Sequence, residues 1–193
     1  MNYLAHLHLG LHTPDALVGS LAGDFVKGPL KGERPEALEN AVRLHRAIDA
    51  YTDRHTAIAQ TAALFPRALR RTRGIALDVF FDHCLAKHWE QYAEQPIDSF
   101  TQQVYRALAQ SHHLPEGLAR IAPRMSEQNW LASYHEWSVV ERALNGIARR
   151  LSRPELLDGS FQVLNQHYEQ LEDLFHQIYP DLQVFAHNQS ALR

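Results

Sequence analysis

Cysteine is nearly absent from this chain of 193 residues: Cys84 stands alone. An intramolecular disulfide and a thiolate-rich zinc module are both excluded. Long apolar runs are missing as well. None approaches the roughly 20 residues that a membrane-spanning helix needs, and no basic segment followed by an apolar core opens the chain. Positive charge is not in excess either, with 19 Lys and Arg against 22 Asp and Glu and a formal net charge of −3. Without a bulk positive field, broad nucleic-acid binding is disfavoured. These absences together predict a soluble, cytoplasmic protein with neither a membrane nor a nucleic acid as partner. What the chain does have in plenty is histidine, 13 residues of it, the side chain best suited to ligating metals or moving protons near neutral pH.

Runs of alternating β-branched residues are scarce, while apolar residues recur at intervals of three and four. That periodicity predicts an all-α fold, a single-domain helical bundle over residues 1–193. From Pro35 onward, Leu38, Ala41, Val42, Leu44 and Ile48 mark a helix with Glu36 near the positive end of its dipole. Another is expected from Pro14 to Val26, with Thr13 as N-cap. The first dozen residues fit a short helix or a strand equally. The segment IALDVFFDHCLAKHWEQY, from Ile75, is apolar enough to be a helix buried on most of its surface. Further helices are expected over Ile97–Ser111, Pro115–Ile121, Glu127–Tyr134, Ser138–Leu151 and Pro154–Tyr179, separated by prolines, with a frayed tail of about ten residues.

Titratable residues gather in the first half. His45 and Asp49 are four apart, as are Asp78 and Asp82, so each pair shares a helix face, and His83 adjoins the second pair. Beside Val79, Phe80, Phe81 and Leu85, some of these carboxylates must lie near a desolvated core, where an uncompensated negative charge is costly. A divalent metal held by imidazole and carboxylate groups from several helices resolves that cost. Asp24, in GDFVKG, offers one more oxygen. A lone histidine on an amphipathic helix is more often a hydrogen-bonding residue at the core edge. Four clustered elements, AHLHL, GDF, LHRAID and DVFFDH, favour a metal site over that reading. The scattered His12, His55, His112, His113, His135, His167, His176 and His187 default to the surface or a helix face. Cys84 beside His83 reads as a small buried hydrophobe rather than a nucleophile.

Read in order, MNYLAHLHL, GDFVKG, LHRAIDAYTD, LDVFFDHCLAKHW, ERALNGIARR and a closing helix with HYEQLEDLF and YP span nearly the whole chain. They resemble the acyl carrier protein phosphodiesterases, which are distantly related to the HD-domain metal phosphohydrolases. The resemblance implies an HD-like bundle and hydrolysis of the phosphodiester that joins 4′-phosphopantetheine to a serine of holo-acyl carrier protein, with Mn²⁺ as the metal. Here Asp82 precedes His83, the reverse of the order in HD phosphohydrolases. Asp24, His45, Asp82 and His83 are expected to be the direct metal ligands. Asp49 and Asp78, one turn away, would orient the imidazoles, bind a second ion or act as base, and His6 would protonate the leaving serine, with His8 nearby.

The stretch PRALRRTRG places Arg67, Arg70, Arg71 and Arg73 just before the apolar helix. Because acyl carrier proteins are small and acidic, these arginines are candidates for partner binding, against the plain alternative of a solvated loop. Arg46, Arg149 and Arg150 are further candidates for phosphate contacts. Two other functions compete with the family reading: a metal phosphohydrolase of nucleotides or small phosphoesters, and a non-catalytic helical interaction module. Oligomeric state is left open by the sequence.

Overall fold

A computed structural model describes residues 1–191; Leu192 and Arg193 lie outside the described residues. The described residues fold into twelve α-helices and no strand, in agreement with the all-α expectation. The order is α1 (Tyr3–Leu9), α2 (Pro14–Ala22), α3 (Glu36–Arg54), α4 (Thr56–Gln60), α5 (Arg73–Lys87), α6 (Trp89–Tyr92), α7 (Ile97–Gln110), α8 (Glu116–Glu127), α9 (Trp130–Ser133), α10 (Trp137–Ala148), α11 (Ser160–Gln166) and α12 (Tyr168–Ala191). Short 3-10 turns occupy Thr61–Ala63, Arg67–Leu69 and Pro154–Leu157.

The α5 helix is the centre of the bundle. Every residue from Ala76 to Ala86 is buried except Asp78, and α1, α10, α11 and α12 pack around it. The opening segment, whose pattern fits helix or strand, is helical because α5 caps it: Asp82 Oδ2 and Oδ1 accept from the Leu4 and Ala5 amides at 2.7 and 3.0 Å, while the Asn2 side chain caps nothing. Next to this, α2 and α3 lie close together. A Cβ on Gly19 would stand 2.3 Å from the Leu38 carbonyl oxygen, so only glycine admits this approach. The close approach brings the end of α2 and the residues after it against His45 and Asp49 on α3.

Several expected boundaries differ. The helix expected over Glu127–Tyr134 is the short α9 after Asn129 at φ of 45°, and the segment from Ile75 breaks at His88 between α5 and α6. Pro123 does not end a helix: α8 runs through it, giving up one backbone bond. The helix expected over Pro154–Tyr179 is instead a 3-10 turn, a break at Gly159 with φ of 85°, and two helices. As far as Ala191 the tail is helical rather than frayed, because α12 continues through Pro180 and buries Leu182 and Ala186; Leu192 and Arg193 of that expectation lie outside the described residues.

Candidate metal and active centre

His6 from α1, Asp24 from the loop after α2, and His45 and Asp49 from α3 converge on one spot. Asp49 joins the two rings, with Oδ1 3.0 Å from His6 Nε2 and Oδ2 3.4 Å from His45 Nε2. Asp24 Oδ1 stands 3.7 Å from His45 Nε2. The imidazoles are buried and stacked, their centroids 3.6 Å apart, whereas Asp49 and Asp24 keep 43% and 46% of their side-chain surface open to solvent. The second sphere is ordered: His45 Nδ1 donates to the Ser20 carbonyl at 2.8 Å, which aims Nε2 at the carboxylates. Gly23 is there for space. A Cβ at that position would sit 2.2 Å from His45 Cγ, so the glycine of GDF makes room for the ring.

The electrostatics point to a cation. Burial opposes a charge on His45, yet Asp24 and Asp49 outweigh it and raise its pKa to about 9. Burial also pushes Asp49 upward, but its contacts with His45 and His6 hold it far below the usual carboxylate range. Asp24 likewise ends below its ordinary value, the pull of His45 exceeding the effect of burial. His6 goes the other way: burial dominates, its pKa falls to about 4, and the ring is neutral at pH 7. Neither nitrogen of His6 is satisfied by a well-formed hydrogen bond, although Asp49 Oδ1 stands 3.0 Å from Nε2. A buried imidazole left so is unusual and costs roughly 1–3 kcal/mol per unsatisfied group. A metal ion would engage it. The ligating atoms of His6, His45 and Asp49 lie within 4.8 Å of one another, close to the spacing of donors around one divalent ion. The residues therefore fit a metal. Asp24, His45 and Asp49 line an open pocket of about 310 Å³, together with Lys27 and Arg46.

Of the seven residues expected at the site, the structure brings Asp24, His45, Asp49 and His6 together. Asp78 borders them: its Oδ1 takes a 2.7 Å hydrogen bond from the Met1 ammonium, itself 3.6 Å from Asp49 Oδ1. Asp82 and His83 do not join. Asp82 is fully buried and spends both oxygens capping α1, and burial moves its pKa to about 7 against the pull of those amides. His83 Nδ1 donates to the Tyr134 carbonyl at 2.7 Å, and its Nε2 accepts from the Tyr168 hydroxyl at 2.8 Å, leaving no lone pair for a metal. His8, also named beside the site, is turned away and held by the Tyr92 carbonyl and the Tyr179 hydroxyl. Cys84 is buried and its thiol is pushed well above the ordinary range by burial, so no thiolate nucleophile forms. Among the arginines, Arg67, Arg70 and Arg71 are exposed and Arg73 is half-buried at the start of α5. Lys27 and Arg46 are the site-lining cations that spacing alone underrates; GDFVKG and LHRAID hold them beside Asp24 and His45.

The family model described as acyl carrier protein phosphodiesterase matches residues 1–182. The chain is similar to proteins named acyl carrier protein phosphodiesterase from Klebsiella pneumoniae (strain 342), at 36% identity over 97% of this chain and 98% of the relative. Those of Serratia proteamaculans, at 38% over 94% and 95%, and of Photorhabdus laumondii, at 35% over 97% and 96%, carry the same name. No solved structure matches.

Proposed function

Because the chain belongs to the acyl carrier protein phosphodiesterase family, we propose that it hydrolyses the phosphodiester joining 4′-phosphopantetheine to a serine of holo-acyl carrier protein, and does so at the cluster of His6, Asp24, His45 and Asp49. Water adds to phosphorus, the bond to the serine oxygen breaks, and that oxygen takes up the proton, giving apo-carrier protein and 4′-phosphopantetheine. The observation that carries this reading is an open pocket lined by Asp24, His45 and Asp49, with the buried His6, neither of its nitrogens in a hydrogen bond, 3.0 Å from Asp49.

His6, His45 and Asp49, with Asp24 alongside, would hold the metal. A divalent ion there supplies Lewis acidity at the phosphoryl oxygen and a lowered pKa for water. Mixed imidazole and carboxylate donors suit Mn²⁺, and also Fe²⁺, Co²⁺ and Zn²⁺. Neutral at pH 7, His6 is suited to donating a lone pair and unsuited to protonating the leaving serine. Asp49 stays ionised as a charge and a donor, not a base. Lys27 and Arg46 face the pocket and oppose the phosphoryl charge, Arg46 being held there by a 2.8 Å bond from Nη2 to the Val26 carbonyl. No helix among the described residues is long and apolar enough to cross a membrane, and the unpaired Cys84 suits a reducing cytoplasm.

The test follows the intact mass of holo-acyl carrier protein incubated with the purified protein and Mn²⁺, with and without EDTA. Loss of the phosphopantetheine mass only in the metal sample is the expected result. An unchanged carrier with every divalent ion, from a folded helical protein, overturns the reading.

A further inference from the structure

The segment ERALNGIARR, within and just after α10, has no part in the metal cluster, yet it forms one wall of a second, roomier cleft. That cleft, of about 730 Å³, lies between α8, α9 and α10 and opens at Asn2 and Tyr3, the residues that start α1. Its volume falls within the roughly 300–1,000 Å³ usual for small-molecule sites. Its charge is unlike that of the whole chain. Arg124, Arg142, Arg149 and Arg150 line it against a single carboxylate, Glu136, and only Arg142 pairs with that acid, at 3.8 Å. Between the arginines lie apolar walls of Ile121, Val139 and Ile147 and the amide side chains of Gln128 and Asn145.

Gly146 is the informative residue. It sits inside α10, where glycine costs about 1 kcal/mol relative to alanine. No packing requires it: a Cβ built there meets nothing nearer than Arg149 Nη2 at 4.0 Å. This glycine thus differs from Gly19 and Gly23, which neighbouring atoms demand. It leaves empty space on the cleft wall, which is what a ligand lying along the helix would need. The cleft is joined to the metal cluster through α1 and the residue before it. Tyr3, on the cleft lining, feels the opposed charges of Arg150 and Asp24, and the carbonyl of Asn2, also on the lining, accepts from the His6 amide at 3.3 Å. His83 supports the same edge, since Tyr134, whose carbonyl it holds, is a lining residue whose hydroxyl also accepts a 2.7 Å hydrogen bond from Asn2.

We propose that this cleft seats the 4′-phosphopantetheine arm of the carrier protein, its phosphate at the Tyr3 and Arg150 edge beside Asp24 and its pantetheine portion running along Gly146 between α8 and α10. The proposal rests on the phosphodiesterase reading for the identity of the ligand. The arm is an anion followed by a geminal dimethyl group, two amides and a thiol, and the lining offers arginines, side-chain amides and aliphatic walls. Binding the arm here draws energy from parts remote from the reacting bond, which positions the phosphodiester against the cluster.

Gly146→Phe fills the space without a clash at its Cβ and removes a helix-weakening glycine, so the variant should fold at least as well as the parent. Titration of each protein with 4′-phosphopantetheine, followed by calorimetry, is the primary readout, with steady-state kinetics on holo-carrier protein as the second. The expected result is binding by the parent, weakened at least tenfold in Gly146→Phe, and a KM raised by a similar factor. Equal binding by parent and variant, or no binding by the parent, overturns the proposal. So does a variant that loses affinity for apo-carrier protein but not for 4′-phosphopantetheine, because the cleft would then dock the carrier's body. Failure of the parent to release phosphopantetheine from holo-carrier protein strikes the functional reading instead, and the titration still decides whether the cleft takes the arm.

Discussion

Two histidine–aspartate pairs touch α1, one on α3 and one on α5, and they end in opposite chemical states. His45 and Asp49 share a helix face; Asp82 and His83 are adjacent in sequence. Both rings are buried, His45 at 3% and His83 at 2% exposure, so burial does not separate them. Hydrogen bonding does. Around His45, one ring nitrogen is anchored at Ser20 and the other faces two ionised carboxylates, with His6 unpartnered beside it. On α5 every side-chain polar atom of the pair already has a partner: both Asp82 oxygens accept from the Leu4 and Ala5 amides, and His83 donates to the Tyr134 carbonyl and accepts from the Tyr168 hydroxyl. A third group, His88, Glu172 and His176, has ligand-like spacing, but Lys87 Nζ already stands 2.7 Å from Glu172 Oε1 and supplies the counter-charge. Residue types that suit a metal are thus a weak guide until one asks whether the fold has already used their lone pairs.

The most damaging change should fall on the unspent pair. Asp49→Asn keeps the shape of the residue that links both rings but removes its charge, and kcat/KM should fall by more than the roughly 10–100-fold typical of losing an outer partner of a metal site. Far-UV circular dichroism should be unchanged, and Mn²⁺ affinity by calorimetry should drop. Turnover near the parent's would erase the distinction drawn between α3 and α5. Gly23→Ala reaches the same place by steric means. The added methyl overlaps His45 Cγ at 2.2 Å, so the ring must swing off its carboxylates, and activity should fall by about 10–100-fold, the cost of disturbing ligand orientation. An unaltered Mn²⁺ titration would show that the ring has slack.

On the spent pair the effect should move from catalysis to stability. Asp82→Ala leaves two buried amides at the start of α1 without acceptors, and about 1–3 kcal/mol of stability should be lost. Thermal melting should read that loss as a Tm lower by several degrees. Below the melt, turnover per folded molecule should stay close to that of the parent. Complete inactivation of a protein still folded would return Asp82 to the reacting centre.

This contrast also marks how far sequence reasoning reaches. The all-α fold follows from periodicity, and α3 and α5 stand close to where the spacing of Leu38 to Ile48 and Ile75 to Leu85 puts them. Asp24, His45, Asp49 and His6 are all among the seven residues that the sequence marks for the site, His45 and Asp49 by their four-residue spacing and Asp24 and His6 by their motifs. The division of the seven into partners and outsiders is not legible there, because the deciding contacts are long-range. Asp82 meets amides 77 and 78 residues away, and His83 meets a carbonyl 51 residues away. Local spacing carries no trace of either. The boundaries at Pro123 and Pro180 fail for the same reason: burial of Ala122, Met125 and Leu182 outweighs the single backbone bond each proline removes. The break at Gly159 had a local signal, an Asp-Gly pair followed by a positive φ.

The smallest predicted effect separates two sets of arginines. Arg70 and Arg71 are exposed on the loop before α5, and Arg73 begins that helix about 7.5 Å of axial rise from Asp78. Mobile surface charges act on an acidic partner through a field screened over about 10 Å at 0.1 M salt, so they steer encounter more than they hold the complex. Reversing both, as Arg70→Glu with Arg71→Glu, should raise KM for holo-carrier protein a few-fold at low ionic strength, with kcat unchanged and the difference fading as salt is added. Arg150→Gln should behave differently, since a side chain in contact with the bound phosphate at the cleft mouth is screened less. Its KM effect should persist in salt. If the loop variant keeps the parent's KM at the lowest salt, the four residues from Arg67 to Arg73 are solvating charges, and attraction of the acidic partner falls to the arginines of the cleft.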